Sequence, residues 1–96
     1  MTSPFSVRTA PAFDRQIKKL VPKHPDLPAA YGDSLRILGT DPYNRTRTHN
    51  IKKLQDVAQG DGQWRLRIGR WRFRYDIYDQ VVLLVACSLR REDTYR

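Results

Sequence analysis

Two runs of strictly alternating apolar and polar residues dominate the second half of the chain. The apolar members of these runs are Trp64, Leu66, Ile68, Trp71, Phe73, Tyr75 and Ile77. The polar members are Arg65, Arg67, Arg72, Arg74 and Asp76. Alternation with a period of two predicts half-buried strands. Gly69 and Arg70 separate the runs, and a glycine at the first central position suits a two-residue type II′ turn, so the pattern predicts a β-hairpin.

A third strand is predicted over residues 81–87, which are continuously apolar and begin with β-branched residues. Such a run is typical of a strand that is covered on both faces or lies centrally in a sheet. With Asp79-Gln80 as the second turn, the three strands form a meander with one apolar face and one arginine face. Like charges directly opposite each other across strands are destabilising, so the arginine face indicates a surface that meets phosphate.

The first half of the chain predicts one strand and two helices. Residues 5–8 alternate as a short strand, and Thr9 and Pro11 suit the start of a helix. The apolar face of this helix consists of Phe13, Ile17, Leu20 and Val21. Pro22 and Pro25 end it.

Asp26 is a candidate N-cap for the second helix, and Gly39 is its predicted C′ residue, followed by Pro42 as a stop. The apolar positions of this helix are Leu27, Tyr31, Leu35 and Leu38. The two helices form an αα-hairpin whose apolar face the meander covers, and residues 51–54 form either a short edge strand or an extended entry to the meander. The predicted fold is therefore an α+β domain spanning residues 1–96, with an N-terminal strand and helical hairpin packed on a mainly antiparallel sheet.

The chain is strongly basic, with a formal net charge of +8 over 96 residues. Residues 45–96 carry most of it, with twelve Lys and Arg against six Asp and Glu, or +6. This balance points to nucleic acid, an acidic protein or an anionic membrane surface. Membrane binding is the weakest of these, because no apolar run approaches a spanning helix. The first fifteen residues contain no apolar leader, so we expect a cytoplasmic protein.

Cysteine and histidine are too scarce to suggest a metal site. Cys87 is the single cysteine, and only His24 and His49 accompany it. An intramolecular disulfide is excluded, and we expect neither a metal nor another cofactor. Cys87 is interpreted as a small buried apolar side chain.

The order of these motifs resembles the RelE/ParE superfamily of toxins from type II toxin–antitoxin pairs. The resemblance covers essentially the whole chain, and its most specific parts are residues 65–75, read as RLRIGRWRFRY, and residues 90–96, read as RREDTYR. It implies a RelE-like α+β fold. Within the RelE-like branch it also implies a ribosome-dependent endoribonuclease that cuts mRNA in the ribosomal A site, and a cognate antitoxin that neutralises it.

The resemblance also implies an active site. Four positions match the branch's catalytic residues: Lys53, Arg65, Arg90 and Tyr95. The sequence departs from several family members at Gln55, where they have a second lysine, and Lys52 is the candidate substitute. Further residues are expected to bind RNA or the ribosome, namely Arg45, Arg47, Lys52, Arg67, Arg72, Arg74 and Arg91.

RNA can be cut without metal when its 2′-hydroxyl attacks the adjacent phosphate. The protein must then accept the 2′-proton, stabilise the phosphorane and protonate the leaving 5′-oxygen. Tyr95 is the candidate base, because neighbouring cations would lower its pKa. We assign Arg65 and Lys53 to the phosphorane and Arg90 to the phosphate or the leaving group, with the roles exchangeable among them.

Other interpretations stay open. Arg65 and Arg74 could pair with Asp76 and Glu92, and Tyr95 could pack the C-terminus. The ParE-like branch inhibits DNA gyrase by protein contact and cleaves nothing, and a third alternative is a non-catalytic RNA-binding module. For either toxin, we expect an antitoxin segment that is acidic or amphipathic and covers the arginines by adding a helix or a strand.

Overall fold

A computed structural model describes residues 4–89 as two α-helices against one five-stranded sheet. The elements in chain order are β1 (Ser6–Thr9), α1 (Pro11–Leu20), a single 3-10 turn (Val21–Lys23), α2 (Leu27–Thr40), β2 (Ile51–Lys53), β3 (Trp64–Ile68), β4 (Trp71–Tyr78) and β5 (Val81–Leu89). The domain is therefore α+β, as predicted. Neither helix in the described part of the chain is long and apolar enough to cross a membrane.

The sheet has the order β1-β5-β4-β3-β2, and β1 alone runs parallel to its neighbour β5. The predicted hairpin is confirmed, because β3 and β4 pair antiparallel around the turn at Gly69, whose φ is +57°. β5 lies between β1 and β4, which agrees with the prediction of a strand inside the sheet. The predicted edge strand is β2.

The core lies between the helices and one face of the sheet. From the hairpin, Leu66, Trp71, Phe73 and Tyr75 are almost completely buried, and they are the alternate residues that the period of two places on one face. The helices contribute Phe13, Leu27 and Leu38, which are also fully buried. Cys87 packs into this core, and burial raises the pKa of its thiol to about 12. The thiol is therefore neutral, as expected for a small apolar side chain.

The start of α1 and the end of α2 differ from the sequence prediction. Thr9 belongs to β1, and Ala10 occupies the N-cap of α1 without a side-chain hydrogen bond. The predicted C′ residue Gly39 is a buried residue inside α2, where its carbonyl accepts a hydrogen bond from the N–H of Phe5 at 3.1 Å. The helix continues to Thr40 because the N–H of Asp41 still bonds to Ile37 O at 2.8 Å.

Asp26 occupies the predicted N-cap position, but its side chain makes no capping bond. The carboxylate instead accepts hydrogen bonds from Arg70 Nε and Nη2, at 3.1 and 2.9 Å, and from Trp71 Nε1 at 2.9 Å. Trp71 is buried, so its indole N–H needs an acceptor. The clip between Asp26, Arg70 and Trp71 thus fastens the hairpin turn to the start of α2.

This clip predicts an acid-sensitive contribution to stability. Hydrogen bonds from Arg70, then Trp71, hold the pKa of Asp26 well below its ordinary value. A lowered pKa stabilises the fold above the unfolded value of about 3.9, and the contribution is lost as pH falls towards the folded value. We expect Asp26→Asn to lower the melting temperature at neutral pH. Between about pH 5 and pH 2, the melting temperature of this variant should fall less than that of the wild type.

Asp33→Asn is the matched control, because Asp33 is exposed on the same helix and forms an ion pair at 3.5 Å with Arg36, which is also exposed. Its thermal unfolding should follow the wild type across the same pH range. If the melting temperatures of Asp26→Asn and the wild type fell in parallel with pH, protonation of Asp26 would not contribute to the acid sensitivity of the fold.

Candidate nucleic-acid interface

The hairpin's arginines and one lysine form two rows across the outer face of the sheet, the face turned away from the helices. In the first basic row Lys52 lies directly opposite Arg65, and Arg65 lies directly opposite Arg74. In the second basic row Arg67 lies directly opposite Arg72. The two rows are about 7 Å apart along the strands. We call them together the basic face.

The basic face holds its guanidinium groups close to the sheet. Arg65, Arg67, Arg72 and Arg74 are only partly exposed, and the Nε atoms of three of them are buried. The Nε atom of Arg67 is buried and has no hydrogen-bond acceptor among residues 4–89. A buried donor without a partner is costly, and a bound anion would satisfy it.

Arg74 is anchored by the segment between β2 and β3, residues 54–63, which we call the β2–β3 loop. Arg74 Nε donates to Gly62 O at 3.1 Å, and Nη2 donates to Gly62 O and Asp61 O at 2.9 and 3.0 Å. Arg74, which the sequence predicted to bind RNA or the ribosome, therefore also holds the β2–β3 loop in place.

Asp76 secures the loop from the other side. It lies on the outer face, yet it is completely buried, and its carboxylate accepts the backbone N–H groups of Gly62 and Gln63 at 3.0 and 2.9 Å. Gln59 Nε2 adds a bond to Ile77 O at 2.8 Å. Sequence reasoning identified Asp76 as the one acid on the arginine face but missed its role. The signal for it was a single carboxylate in an arginine strand, preceded by the Gly-Asp-Gly of residues 60–62.

A pocket of about 540 Å³ lies where the β2–β3 loop meets the first basic row, and we call it the loop pocket. It is lined by Lys52, Lys53, Leu54, Gln55, Val57 and Arg74. Sequence reasoning named four of these residues but did not predict a pocket, because the pocket depends on how the loop folds back over the sheet.

Lys53 does not lie with Arg65. It pairs with Trp64 in the β2–β3 register, on the face turned towards the helices, and its Nζ lies 5.6 Å from the centre of the Trp64 ring. Lys52 is the lysine that faces Arg65. The structure thus brings together Arg65 and Lys52, and it separates Arg65 from Lys53.

Arg45 and Arg47 belong to a well-bonded connection over residues 41–50. Asp41 holds this connection by accepting bonds from the N–H of Arg45 at 2.8 Å and from Thr46 N and Oγ1 at 3.1 and 2.7 Å. The guanidinium of Arg45 lies 5.1 Å from the centre of the Tyr43 ring, and Tyr43 packs edge-on against Trp64. Arg45 therefore lies with Lys53 around the aromatic cluster, and Arg47 is exposed in the same connection.

His49 lies beside Asp41, with Nε2 3.9 Å from Asp41 Oδ2. Burial raises the pKa of Asp41, but hydrogen bonds from Thr46 and Arg45 outweigh it, so the net shift is downward and the carboxylate stays charged. Tyr75 is the buried phenol nearby, and its O–H donates to Pro42 O at 2.7 Å. Burial raises the pKa of Tyr75 well above its ordinary range, which excludes it as a base at neutral pH.

Three predicted site residues, Arg90, Arg91 and Tyr95, lie outside the described residues. β5 ends at Leu89 opposite Trp71, and Ser88 lies opposite Arg72 in the second basic row. Within residues 4–89, no three His, Cys, Asp or Glu side chains are grouped so that they could hold a metal ion. What the described residues assemble on this face is a concentration of positive charge.

Comparisons of the chain with family models, with curated proteins and with solved structures give no match.

The close approach of the β2–β3 loop to the sheet is testable at Gly62. A Cβ there would lie 2.9 Å from Val85 Cγ2 and 3.0 Å from Arg74 Cβ, and the φ of Gly62 is +84°. We expect Gly62→Ala to reduce the free energy of unfolding by about 2–4 kcal/mol, the sum of backbone strain and overpacking. Chemical denaturation would measure it.

Gly60→Ala is the matched control, since Gly60 also has a positive φ, +107°, but a Cβ there would meet nothing within 4 Å. It should cost only the backbone strain of about 1–2 kcal/mol. If the two variants lost equal free energies of unfolding, a Cβ at Gly62 would not be in steric conflict with Val85 and Arg74.

Proposed function

We propose that this chain is a RelE-like toxin, a metal-independent endoribonuclease that cuts mRNA in the ribosomal A site and is neutralised by a cognate antitoxin. The observation that carries the proposal is the pairing of cation with cation on the basic face. Lys52, Arg65 and Arg74 stand in one row, and Arg67 and Arg72 stand in the next. A phosphate backbone is the polyanion that such rows fit, because guanidinium groups bind phosphate with charge-assisted hydrogen bonds.

In this proposal the first basic row lies at the scissile phosphate. The 2′-oxygen attacks phosphorus, the bond to the 5′-oxygen breaks, and the products are a 2′,3′-cyclic phosphate and a free 5′-hydroxyl. Arg65 has a cation on each side and stabilises the negative charge of the phosphorane together with Lys52. Tyr95 takes the 2′-proton, Arg90 stabilises the negative charge on the departing 5′-oxygen, and that oxygen takes its proton from solvent water.

The proposed set is weak in proton-transfer groups, which fits a nuclease that depends on the ribosome. Orientation of the 2′-oxygen in line with the phosphate can supply about 7–11 kcal/mol of the barrier. The ribosome would supply that orientation, and the toxin would supply charge. The cognate antitoxin would then act by covering the basic face with an acidic or amphipathic segment.

A second candidate is a non-catalytic RNA-binding module, and the position of Lys53 favours it. The resemblance assigns Lys53 to catalysis, yet Lys53 lies over Trp64 on the face opposite Arg65. Binding of RNA needs only the two basic rows. The ParE-like alternative has no comparable observation in its favour.

RNA binding by the basic face should depend on salt. For a single strand, the logarithm of the affinity falls with the logarithm of salt concentration by about 0.7 for each phosphate contact. We expect Arg67→Gln to weaken binding to every RNA sequence and to reduce this slope by about 0.7. Fluorescence anisotropy with a 2′-O-methyl RNA oligonucleotide, which lacks the attacking hydroxyl, gives the affinity.

The matched control is Arg15→Gln, because Arg15 is exposed on α1. It should leave both the affinity and the slope at the wild-type values. If Arg15→Gln and Arg67→Gln changed the slope equally, binding would follow net charge alone, and the basic face would have no special role.

Cleavage should distinguish the two adjacent lysines. Primer extension on an mRNA translated in a purified system, with ribosomes omitted in parallel, should show cuts in A-site codons. Lys52→Met should lower the cleavage rate about 100-fold or more, as the loss of one charge-stabilising donor does, and Tyr95→Phe and Arg65→Ala should abolish the cuts. Lys53→Met should lower the rate less than Lys52→Met does, because the Lys53 ammonium lies over the Trp64 ring, although Lys53 also lines the loop pocket.

If Lys53→Met abolished the cuts and Lys52→Met spared them, our placement of the scissile phosphate on the first basic row would be wrong. An intact mRNA together with growth arrest in cells would favour the ParE-like branch, which a gyrase supercoiling assay would then test. An intact mRNA with normal growth and salt-dependent RNA binding would favour the non-catalytic module.

A further inference from the structure

The loop pocket adjoins the first basic row but differs from it in chemistry. Lys52 and Arg74, the two ends of that row, also line the pocket. The remaining wall is formed by Lys53, Leu54, Gln55 and Val57, which offer a third cationic residue, two apolar side chains and one amide. None of the six lining residues is acidic.

The loop that forms the pocket is fixed to the sheet rather than loosely laid over it. The buried carboxylate of Asp76 binds its backbone at Gly62 and Gln63, and Arg74 binds its carbonyl oxygens at residues 61 and 62. Gln63 Nε2 donates to Val57 O at 3.0 Å, which holds the far wall of the pocket. A pocket whose walls are held in this way needs little ordering when a ligand enters, which favours affinity.

The mixture of groups in the pocket matches one kind of ligand. Cations at the mouth suit a phosphate, apolar side chains suit the face of an unstacked aromatic ring, and an amide can both donate to and accept from a polar ring edge. A nucleotide carries all three features. Its volume also suits a pocket of about 540 Å³, which lies within the common range for small-molecule sites.

We propose that the loop pocket binds one unstacked nucleotide of a single-stranded RNA. The base lies against Leu54 and Val57, the amide of Gln55 hydrogen-bonds to its edge, and its phosphate lies at Lys52 and Arg74. This inference rests on the proposed function, in which the substrate is RNA. Its consequence is that the protein prefers particular bases next to the phosphate that the first basic row binds.

The test uses the wild-type protein with ¹³C-labelled Leu and Val methyl groups and four uncleavable 2′-O-methyl pentanucleotides, each of a single base. We expect the methyl resonances of Leu54 and Val57 to shift on titration with RNA, and the four affinities to differ by about fivefold or more. Gln55→Ala should bring the four affinities together, and Val57→Asp should weaken all of them by about tenfold.

Gln80→Ala is the control, because Gln80 is exposed in the turn between β4 and β5. It should keep the wild-type order of affinities. Circular dichroism of each variant verifies folding, and since Gln55 is exposed, Gln55→Ala should melt at the wild-type temperature.

The outcomes separate the pocket from the proposed function. RNA that binds, responds to Arg67→Gln and leaves the Leu54 and Val57 methyls unshifted would overturn the pocket proposal while the proposed function stands. Shifts with mononucleotides but not with pentanucleotides would overturn it in favour of a free nucleotide as ligand. No binding to any RNA, by methyl shifts or by anisotropy, would overturn the pocket proposal, and intact mRNA in the primer-extension assay would overturn the proposed function as well.

Discussion

Burial of the hairpin's apolar face determines where the four arginines of its two strands lie. Leu66, Trp71, Phe73 and Tyr75 are almost fully buried, and each such side chain contributes about 1.5–3 kcal/mol. Cross-strand pairs on the outer face contribute only about 0.2–1 kcal/mol each, so repulsion between opposed arginines cannot change the register. A slip of one residue would exchange the two faces and expose the core. The hydrophobic effect therefore holds four arginines in an arrangement that their own charges disfavour.

The resulting concentration of positive charge is offset unevenly across the sheet. At the end of the first basic row, Arg74 is satisfied by backbone carbonyls of the β2–β3 loop, and the loop in turn is fixed by Asp76. In the second basic row, Arg67 keeps a buried Nε without an acceptor among residues 4–89. Arg74 is thus held in place by the loop, whereas the Nε of Arg67 can still donate a hydrogen bond.

Local patterns predicted the elements, and distant contacts decided the details. Periods of two and 3.6 in the sequence were enough for both helices, the hairpin and the basic face, because burial dominates those patterns. The capping prediction for Asp26 was wrong in its side-chain contacts, because that carboxylate bonds to Arg70 and Trp71, 44 and 45 residues away. Asp76 likewise accepts hydrogen bonds from the backbone of Gly62 and Gln63, 14 and 13 residues away in the sequence. Rules based on neighbouring residues cannot predict such distant partners. The loop pocket depends on these contacts, so the sequence did not predict it.

The two adjacent lysines of β2 show why a motif alone does not specify a site on a strand. The resemblance matches Lys53 by its place before Leu54, but successive side chains of a strand point to opposite faces. The pairing of β2 with β3 puts Lys52 opposite Arg65 and Lys53 opposite Trp64. To reach the basic face, the Lys53 ammonium would have to leave the Trp64 ring and pass around the edge of the sheet. In the proposed nuclease, charge stabilisation requires a donor that is already in place before the reaction, so the register favours Lys52 over Lys53 as the partner of Arg65 in that role.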